Sequence, residues 1–395
     1  MKQSRQIVAA IAIAAVFFSG GVIYGRGGIS FDHADKLNSE NTTLPADLDY
    51  STAESVYDAL KDNYDGKLTQ TQLLDGVKAG LAQSTGDPYT EFFSASEAKT
   101  LNEQLTGTFS GIGAQLGKNA AGVIEIIAPI TGSPAEKAGL KPGDLISKIN
   151  GTTTSNLDVD IAVSKIRGES GTTVTLQIYR NGVPQDYTIT RANISIPSVE
   201  SKMLDGNIGY LRISQFTDDT TSGPGTAELA RKAAQSFKDQ GVKGVVLDMR
   251  SNPGGTVDSA ISVSSLWVPQ GKTVMVEKRG GQVVKTNTAT GGNILNGIPT
   301  IVLIDEGSAS ASEITAGALK DNKVATTLGA KSYGKGSFQT VLNLSGDSEL
   351  KVTIGRWYRP NGQNIDKQGI KPDQVVKQTD SGDAQLDAAT AKLKS

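Results

Sequence analysis

The chain has 395 residues, a length that predicts two or three domains at about 150 residues per domain. Its 39 lysine and arginine residues nearly balance 41 aspartate and glutamate residues, and the net charge of −2 argues against nucleic acid as a partner. Cysteine is absent, which excludes thiol chemistry. The only histidine is His33, near the N-terminus, which argues against a Ser-His-Asp triad. A proton acceptor therefore has to be a carboxylate, a lysine or a tyrosine.

An apolar run, IVAAIAIAAVFFSGGVIY, occupies residues 7–24 directly after Lys2 and Arg5. Its length suits a membrane span, and the preceding positive charges predict that the rest of the chain lies on the outer face of a cytoplasmic membrane. No small-residue cleavage site closes the run in the usual way, which favours an uncleaved anchor for residues 1–25, with a removed signal segment as the alternative. The polar residues 26–48 are typical of a stalk.

Two further segments precede the C-terminal half of the chain. Residues 49–105 carry apolar residues at helical spacing, which predicts a small helical segment. Residues 107–192 are short β-branched runs punctuated by glycine, which predicts a compact β-rich module with a hairpin at Asn181-Gly182.

The C-terminal half alternates apolar strands with helical patterns between residues 196 and 380. Helices are expected at residues 225–240, 256–267 and 311–322. This alternation predicts an α/β layer with parallel strands. Residues 381–395 have a helical pattern that either docks on this layer or remains free.

A glycine-containing loop, Gly111-Ile112-Gly113-Ala114, stands before a strand of the β-rich module. Its backbone N–H groups can converge on a carboxylate beside an open strand edge, although two glycines near a strand are also typical of a plain turn. The string SPAEKAGLKPGDLISKING, residues 133–151, resembles the signature of PDZ domains. That resemblance implies that peptide C-termini bind at residues 111–114, next to a helix near residues 157–166.

Three serines, Ser308, Ser310 and Ser312, lie between an apolar strand and a helix. The string from Ser310 to Glu313 is a capping box, so Ser310 can serve only as the helix cap. A serine at a helix N-terminus also lies beside free N–H groups that stabilise an oxyanion. The pattern alone leaves both roles open.

A lysine, Lys335, stands between two glycines in GAKSYGKGSFQT, and Gln339 follows four residues later. The four-residue spacing places both side chains on one face of either a helix or a strand. A lysine in such a loop is commonly a solvated surface residue. The spacing of a phosphate-binding loop is missing, which argues against a nucleotide site.

In their joint order these motifs resemble the carboxy-terminal processing (tail-specific) serine proteases over residues 50–376. The strings LDMRSNPGG, IRGESGTTVTLQIYR, RWYRPNGQNID and GIKPDQVV also match. The resemblance implies a multi-domain α/β protein whose protease core is of the ClpP/crotonase type, working without a metal or organic cofactor. By motif position it assigns the nucleophile to Ser310, the general base to Lys335 and the orienting group to Gln339, with Ser308 and Ser312 as bystanders.

The remaining site residues follow from these assignments. The Ala311 N–H, directly after the nucleophile, is a natural oxyanion donor, and the resemblance implies a second donor at Gly254 or Gly255. Arg167 is interpreted either as a group that couples the PDZ domain to the active site or as a surface charge.

Two other stretches are expected to have only structural roles. Asp248 and Arg250 are interpreted as a structural pair. The turn S-T-G-D-P-Y, residues 84–89, departs from many relatives and is expected to affect only the packing of the N-terminal helices.

The sequence thus predicts a membrane-anchored bacterial serine endopeptidase on the extracytoplasmic side. Its substrates are polypeptides with unstructured, apolar C-termini. A homodimer through the helical segment is expected from the resemblance alone. The alternative is a catalytically silent PDZ scaffold at the membrane surface.

Overall fold

The computed structural model describes residues 48–119, 121–130, 132–155, 157–218, 223–379 and 382–395, and the backbone of a two-residue strand, β1 (Val22–Ile23). The expected anchor and stalk otherwise lie outside the described residues. Within the described ranges, no helix combines the length and apolar character needed to cross a membrane.

The N-terminal segment is mainly helical, as its pattern predicts. Its elements are α1 (Ser51–Asn63), α2 (Gln70–Gln83), β2 (Glu91–Phe93) and α3 (Ala95–Thr106). Thr69 begins α2 with a complete capping box, whereas α1 buries none of its side chains. The strand β2 leaves this segment and pairs with β19 of the core domain described below.

The β-rich module is a separate antiparallel sheet with its own apolar core. Its elements are β3 (Thr108–Gly111), β4 (Ala114–Lys118), β5 (Ile124–Pro129), α4 (Pro134–Lys137), β6 (Leu145–Ile149), β7 (Thr152–Thr153), α5 (Val159–Ile166), β8 (Thr173–Arg180), β9 (Val183–Thr190) and β10 (Ala192–Ser195). The sheet order is β4-β5-β6-β8-β9, and β3 pairs with β10 outside it. Positive φ angles at Asn181 (53°) and Gly182 (78°) form the tight turn between β8 and β9, which confirms the predicted hairpin.

The core domain contains the expected parallel layer. Its elements are β11 (Val199–Leu204), β12 (Ile208–Ile213), α6 (Thr226–Asp239), β13 (Gly244–Asp248), α7 (Val257–Ser264), β14 (Thr273–Arg279), β15 (Gln282–Thr288), β16 (Thr300–Ile304), α8 (Ala311–Asp321), β17 (Thr326–Gly329), β18 (Ser337–Asn343), a 3-10 turn (Ser345–Asp347), β19 (Glu349–Tyr358), β20 (Gln374–Val375) and α9 (Ala384–Lys394). The order β11-β12-β13-β16-β17-β20 is parallel apart from β11. Every residue of β13 and β16 is buried, as in parallel sheets covered on both faces.

A second sheet corrects the expectation of a single parallel layer. It is antiparallel, in the order β18-β19-β14-β15 with β2 added to β19, and β1 joins β18 in parallel. The physical reason lies in Gly280 and Gly281, both at positive φ, which reverse the chain in two residues between β14 and β15. A parallel connection would need a dozen residues or more.

The C-terminal helix α9 docks on the face of the parallel sheet opposite α6–α8. Ala389 is fully buried there. Arg250 links the end of β13 to the start of α9, since its guanidinium pairs with Asp248 at 2.6 Å and with Asp383 at 2.7 Å. Hydrogen bonds from Arg250 hold the pKa of Asp383 well below its usual range.

Candidate active site

The candidate site lies beyond the carboxyl ends of two parallel strands, where open α/β sheets place their ligand crevices. Strand β13 leads into the loop Asn252–Gly255. Strand β16 leads into Ser310, the N-cap residue of α8. Two backbone segments from neighbouring strands therefore meet at the N-terminus of one helix.

Ser310 occupies a strained backbone conformation. Its φ of 54° and ψ of −113° are unusual for a residue other than glycine, and such strain costs on the order of 1–3 kcal/mol. The predicted capping box with Glu313 is present. Within the described part of the chain, the Ser310 hydroxyl donates no hydrogen bond, whereas the hydroxyls of Ser308 and Ser312 donate to Met249 O and Ala309 O. Of the three serines, Ser310 alone keeps its hydroxyl proton available.

The buried carboxylate of Glu313 joins the serine turn to the lysine loop. It accepts hydrogen bonds from the N–H groups of Ser310 (2.8 Å), Gly334 (2.7 Å) and Lys335 (2.9 Å), and from the Ser332 hydroxyl (2.6 Å). Burial raises the pKa of Glu313, and these donors oppose the rise. One carboxylate thus fixes both candidate catalytic backbones, a role that the capping-box pattern indicates only for Ser310.

Lys335 is fully buried, and its Nζ has no hydrogen-bond partner among the described residues. Burial lowers the pKa of Lys335 well below its usual value, and the nearby charge of Lys351 lowers it further. Glu313 and Asp87 act in the opposite direction. The site therefore favours the neutral amine, which is the form that accepts a proton.

Gln339 does not contact Lys335 by a hydrogen bond. Its Nε2 donates to the hydroxyls of Ser337 and Thr353, each at 3.0 Å, and its Oε1 has no hydrogen-bond partner in the described ranges. The backbone N–H groups of Ser310 and Lys335 thus bind one carboxylate. Gln339 is instead held by its hydrogen bond to Thr353 of β19.

The loop containing Gly254 and Gly255 packs against the turn of Ser310. A Cβ atom on Gly254 would lie 2.8 Å from the Ser310 Cβ and 3.0 Å from the Ala311 N. The Gly254 N–H already donates to the Asn252 Oδ1 at 2.8 Å. The Gly255 N–H donates no hydrogen bond among the described residues, so of these two glycines Gly255 has the free donor.

The turn around Asp87 and Tyr89 also reaches the site, which corrects the expectation that it affects only helix packing. The Lys335 Nζ lies 4.8 Å from the centroid of the Tyr89 ring. Burial raises the pKa of Tyr89, which keeps its phenol protonated and excludes it as the proton acceptor. Sequence reasoning missed this residue because nothing in the local pattern indicates a contact with a loop almost 250 residues later.

In the β-rich module, β4 is the edge strand of the sheet and α5 lies beside it. Gly111 belongs to β3 and pairs with Ala192 of β10, so it stands outside the loop. Gly113 has a φ of 74°, and its carbonyl accepts hydrogen bonds from the Ser133 hydroxyl and the Ile130 N–H. The turn at residues 112–114 is therefore firmly held next to the edge of β4.

Arg167 connects the module to the N-terminal segment. Its guanidinium pairs with Glu103 of α3 at 3.1 Å and lies 4.9 Å from the centroid of the Phe109 ring. A cleft of about 220 Å³ beside it is also lined by Gln215 and Thr217 of the core. Arg167 therefore stands where the β-rich module, α3 and the core meet.

Comparison with known families and proteins identifies two domains. Peptidase family S41 matches residues 207–376, and the PDZ domain matches residues 125–180. The carboxy-terminal processing protease CtpA of Bacillus subtilis (strain 168) is 35% identical over 374 residues, covering 94% of this chain and 77% of that protein. A probable CtpA-like serine protease of Staphylococcus aureus (strain bovine RF122 / ET3-1) is 36% identical, covering 86% of this chain and 67% of that protein.

Solved structures agree on the fold. The photosystem II D1 C-terminal processing protease has a TM-score of 0.51 at 26% identity, with 87% of this chain and 91% of that chain covered. A putative S41 protease from Bacteroides fragilis NCTC 9343 has a TM-score of 0.53 at 20% identity, with 85% and 92% covered. The overall fold is thus shared with these proteins.

Proposed function

Because the chain belongs to the S41 family of carboxy-terminal processing serine proteases and carries a PDZ domain, we propose that it cleaves polypeptides with a Ser310–Lys335 pair and recruits them by apolar C-termini. The observation that carries this proposal is the Glu313 carboxylate. It binds the backbone N–H groups of both Ser310 and Lys335, which holds a strained serine and a buried amine in one site.

The proposed reaction begins with attack of the Ser310 Oγ on the scissile carbonyl carbon, while its proton passes to the Lys335 Nζ. The N–H groups of Ala311 and Gly255 stabilise the oxyanion that forms. The Lys335 ammonium then donates its proton to the leaving amine, and the same amine later activates the water that hydrolyses the acyl-serine ester. Since the Lys335 Nζ makes no hydrogen bond among the described residues, we expect its hydrogen bond with the Ser310 hydroxyl to form when substrate binds.

Substrate recruitment is assigned to the groove between β4 and α5. An extended C-terminus can add to the free edge of β4, and the turn at residues 112–114 stands where its carboxylate would end. The apolar surroundings, such as Ile112 and the partly buried Leu116, favour apolar side chains.

Membrane attachment and dimer formation are further parts of the proposal. The apolar run at residues 7–24, after Lys2 and Arg5, supports a single anchor with the protease on the outer side of a bacterial membrane. Exposed apolar side chains of α1, among them Val56 and Leu60, support a homodimer through the N-terminal helices.

The test uses the full chain in detergent with an unfolded protein that ends in either apolar or charged residues. We expect the apolar-tailed substrate to be cleaved faster, and Ser310→Ala and Lys335→Ala each to abolish cleavage without loss of folding. Ser201→Ala and Lys331→Ala, at exposed positions, are the matched controls and should cleave like the parent.

Cleavage that persists in both Ser310→Ala and Lys335→Ala would refute the assigned pair. A folded parent chain that binds the tail peptide but cleaves neither substrate would instead favour the silent scaffold.

A further inference from the structure

The turn from Asp87 to Thr90 forms one wall of the pocket around the Lys335 amine, although it belongs to the N-terminal segment. The centroid of the Tyr89 ring lies 4.8 Å from the Lys335 Nζ, within the distance of about 6 Å at which an aromatic face attracts a cation. No hydrogen-bond acceptor reaches that Nζ among the residues that the structure describes. The face of the Tyr89 ring is thus positioned to interact with a charge on that Nζ.

The position of Tyr89 is fixed from both sides. The Asp87 carboxylate accepts hydrogen bonds from the Tyr89 N–H (3.2 Å) and the Thr90 hydroxyl (2.7 Å). The Thr90 hydroxyl in turn accepts from the Thr353 N–H at 3.2 Å, and the Thr353 hydroxyl accepts from Gln339. The turn that presents Tyr89 is therefore bound to β19, the strand to which the proposed orienting residue Gln339 also donates a hydrogen bond.

The following residues anchor this turn to the sheet. Strand β2 pairs antiparallel with β19, and Glu91 forms an ion pair with Lys351 at 3.1 Å. The backbone of Tyr89 therefore cannot move away from Lys335 without breaking the pairing of β2.

We propose that Tyr89 is a positioning residue for the proposed base: its ring excludes water from Lys335 and stabilises, through its π face, the ammonium that forms when the lysine takes the Ser310 proton. This inference rests on the proposed Ser310–Lys335 chemistry. The two effects oppose each other, because exclusion of water favours the neutral amine whereas the ring face favours the cation. Their balance keeps Lys335 neutral at rest and still able to accept a proton.

Five further titratable groups act on the Lys335 amine or the Tyr89 phenol. Lys351 on β19 repels the ammonium, whereas Glu313 on α8 and Asp87 in the turn attract it. Tyr333 and Asp366 act on the Tyr89 phenol. The substitutions below alter Tyr89 alone and leave all five in place.

The test is the pH dependence of kcat/KM for apolar-tailed substrate, measured with the full chain in detergent. Its acid limb reports protonation of Lys335. Tyr89→Phe keeps the ring and should match the parent. Tyr89→Leu keeps the apolar cover but removes the π face, so the limb should move about 0.5–1 unit to lower pH and the plateau should fall several-fold.

Tyr89→Ala admits water, so its limb should move in the opposite direction, to higher pH. A merely structural role of Tyr89 predicts lower melting temperatures, without opposite shifts of the acid limb in the leucine and alanine variants. Tyr57→Leu, at an exposed tyrosine of α1, is the matched control.

The inference is overturned if Tyr89→Leu keeps the acid limb of the parent, or if Tyr89→Phe shifts it as Tyr89→Ala does. Should Tyr89→Ala fail to fold, the comparison of the phenylalanine and leucine variants still decides. Lys335→Ala is measured alongside. If Lys335→Ala remains active, the proposed function itself fails. If Lys335→Ala is inactive and the acid limbs of the Tyr89 variants do not shift, only the role of Tyr89 is refuted.

Discussion

Glu313 is the single residue on which the geometry of the site depends most. Its carboxylate accepts three backbone N–H groups and one hydroxyl while being fully buried. Three of these donors come from the loop of residues 332–335 and one from the serine turn. The distance between the proposed nucleophile and the proposed base is therefore set by a group that takes no proton in the proposed reaction.

Glu313→Gln should abolish most activity, because the N–H donors of the new side-chain amide would face backbone N–H groups that now donate to the carboxylate. We expect kcat to fall at least about 100-fold, the cost of a displacement of roughly 1 Å, and stability to fall by about 2 kcal/mol or more. Steady-state kinetics and thermal unfolding measure the two effects. Glu306→Gln, at an exposed neighbour, should change neither, and normal kcat in Glu313→Gln would contradict the anchoring role.

Lys335 imposes a stability cost that depends on pH. Its pKa in the folded chain lies well below its unfolded value, so unfolding takes up a proton between these two pKa values. The stability of the parent chain consequently falls as pH decreases from about 10.4 toward the folded pKa.

Lys335→Met should remove that dependence while filling the same volume. We expect the variant to be inactive but more stable at neutral pH, with an advantage that grows by about 1.4 kcal/mol for each pH unit below about 10.4 and levels off at the folded pKa. Denaturant unfolding at several pH values measures it. An advantage that stays constant between pH 10 and pH 7 would mean that the buried lysine keeps its proton.

At the scale of secondary structure, local patterns predict elements well and their assembly less well. The fully apolar strands β13 and β16 and the Asn181-Gly182 hairpin follow directly from sequence pattern. The second sheet does not, because strands β14 and β19 pair across about 80 residues and nothing local indicates a partner. The same limit hides Tyr89, whose contact with Lys335 exists only after β2 joins β19.

The same reasoning applies to the candidate site. The motif order indicates Ser310, Lys335 and Gln339, since each stands in a string of recognisable residues. The choice between Gly254 and Gly255 needs coordinates, because it depends on which N–H is already bound to Asn252.

The loop after β13 is an element whose close packing can be tested directly. Gly254 has a φ of 105°, and a methyl group there would lie 2.8 Å from both the Ala309 O and the Ser310 Cβ. Gly254→Ala should therefore push the loop away from Ser310 and lower kcat at least about tenfold, with a smaller effect on KM. Gly281→Ala adds a methyl in open space at a similarly positive φ, so it serves as the control for backbone strain. Equal kinetics of these two variants would contradict the assigned position of the loop.

At the scale of the whole molecule, we propose that Arg167 transmits tail binding from the PDZ domain to the core. It contacts Glu103 and Phe109 at the junction of the domains. Arg167→Ala should lower turnover of apolar-tailed substrates several-fold and leave the slow cleavage of charged-tailed substrates unchanged. Lys165→Ala, on the exposed side of α5, is the control. Unchanged turnover in Arg167→Ala would assign the residue to domain packing alone.

The pairing of β2 with β19 also sets the stage of synthesis at which the pocket around Lys335 can be completed. The ion pair between Glu91 and Lys351 joins residues 260 positions apart, and Ser310 and Lys335 lie within that interval. A ribosome produces the Tyr89 turn long before the sheet that receives it, since synthesis runs from the N-terminus. A nascent chain that still lacks β19 consequently cannot enclose Lys335 between that turn and the sheet.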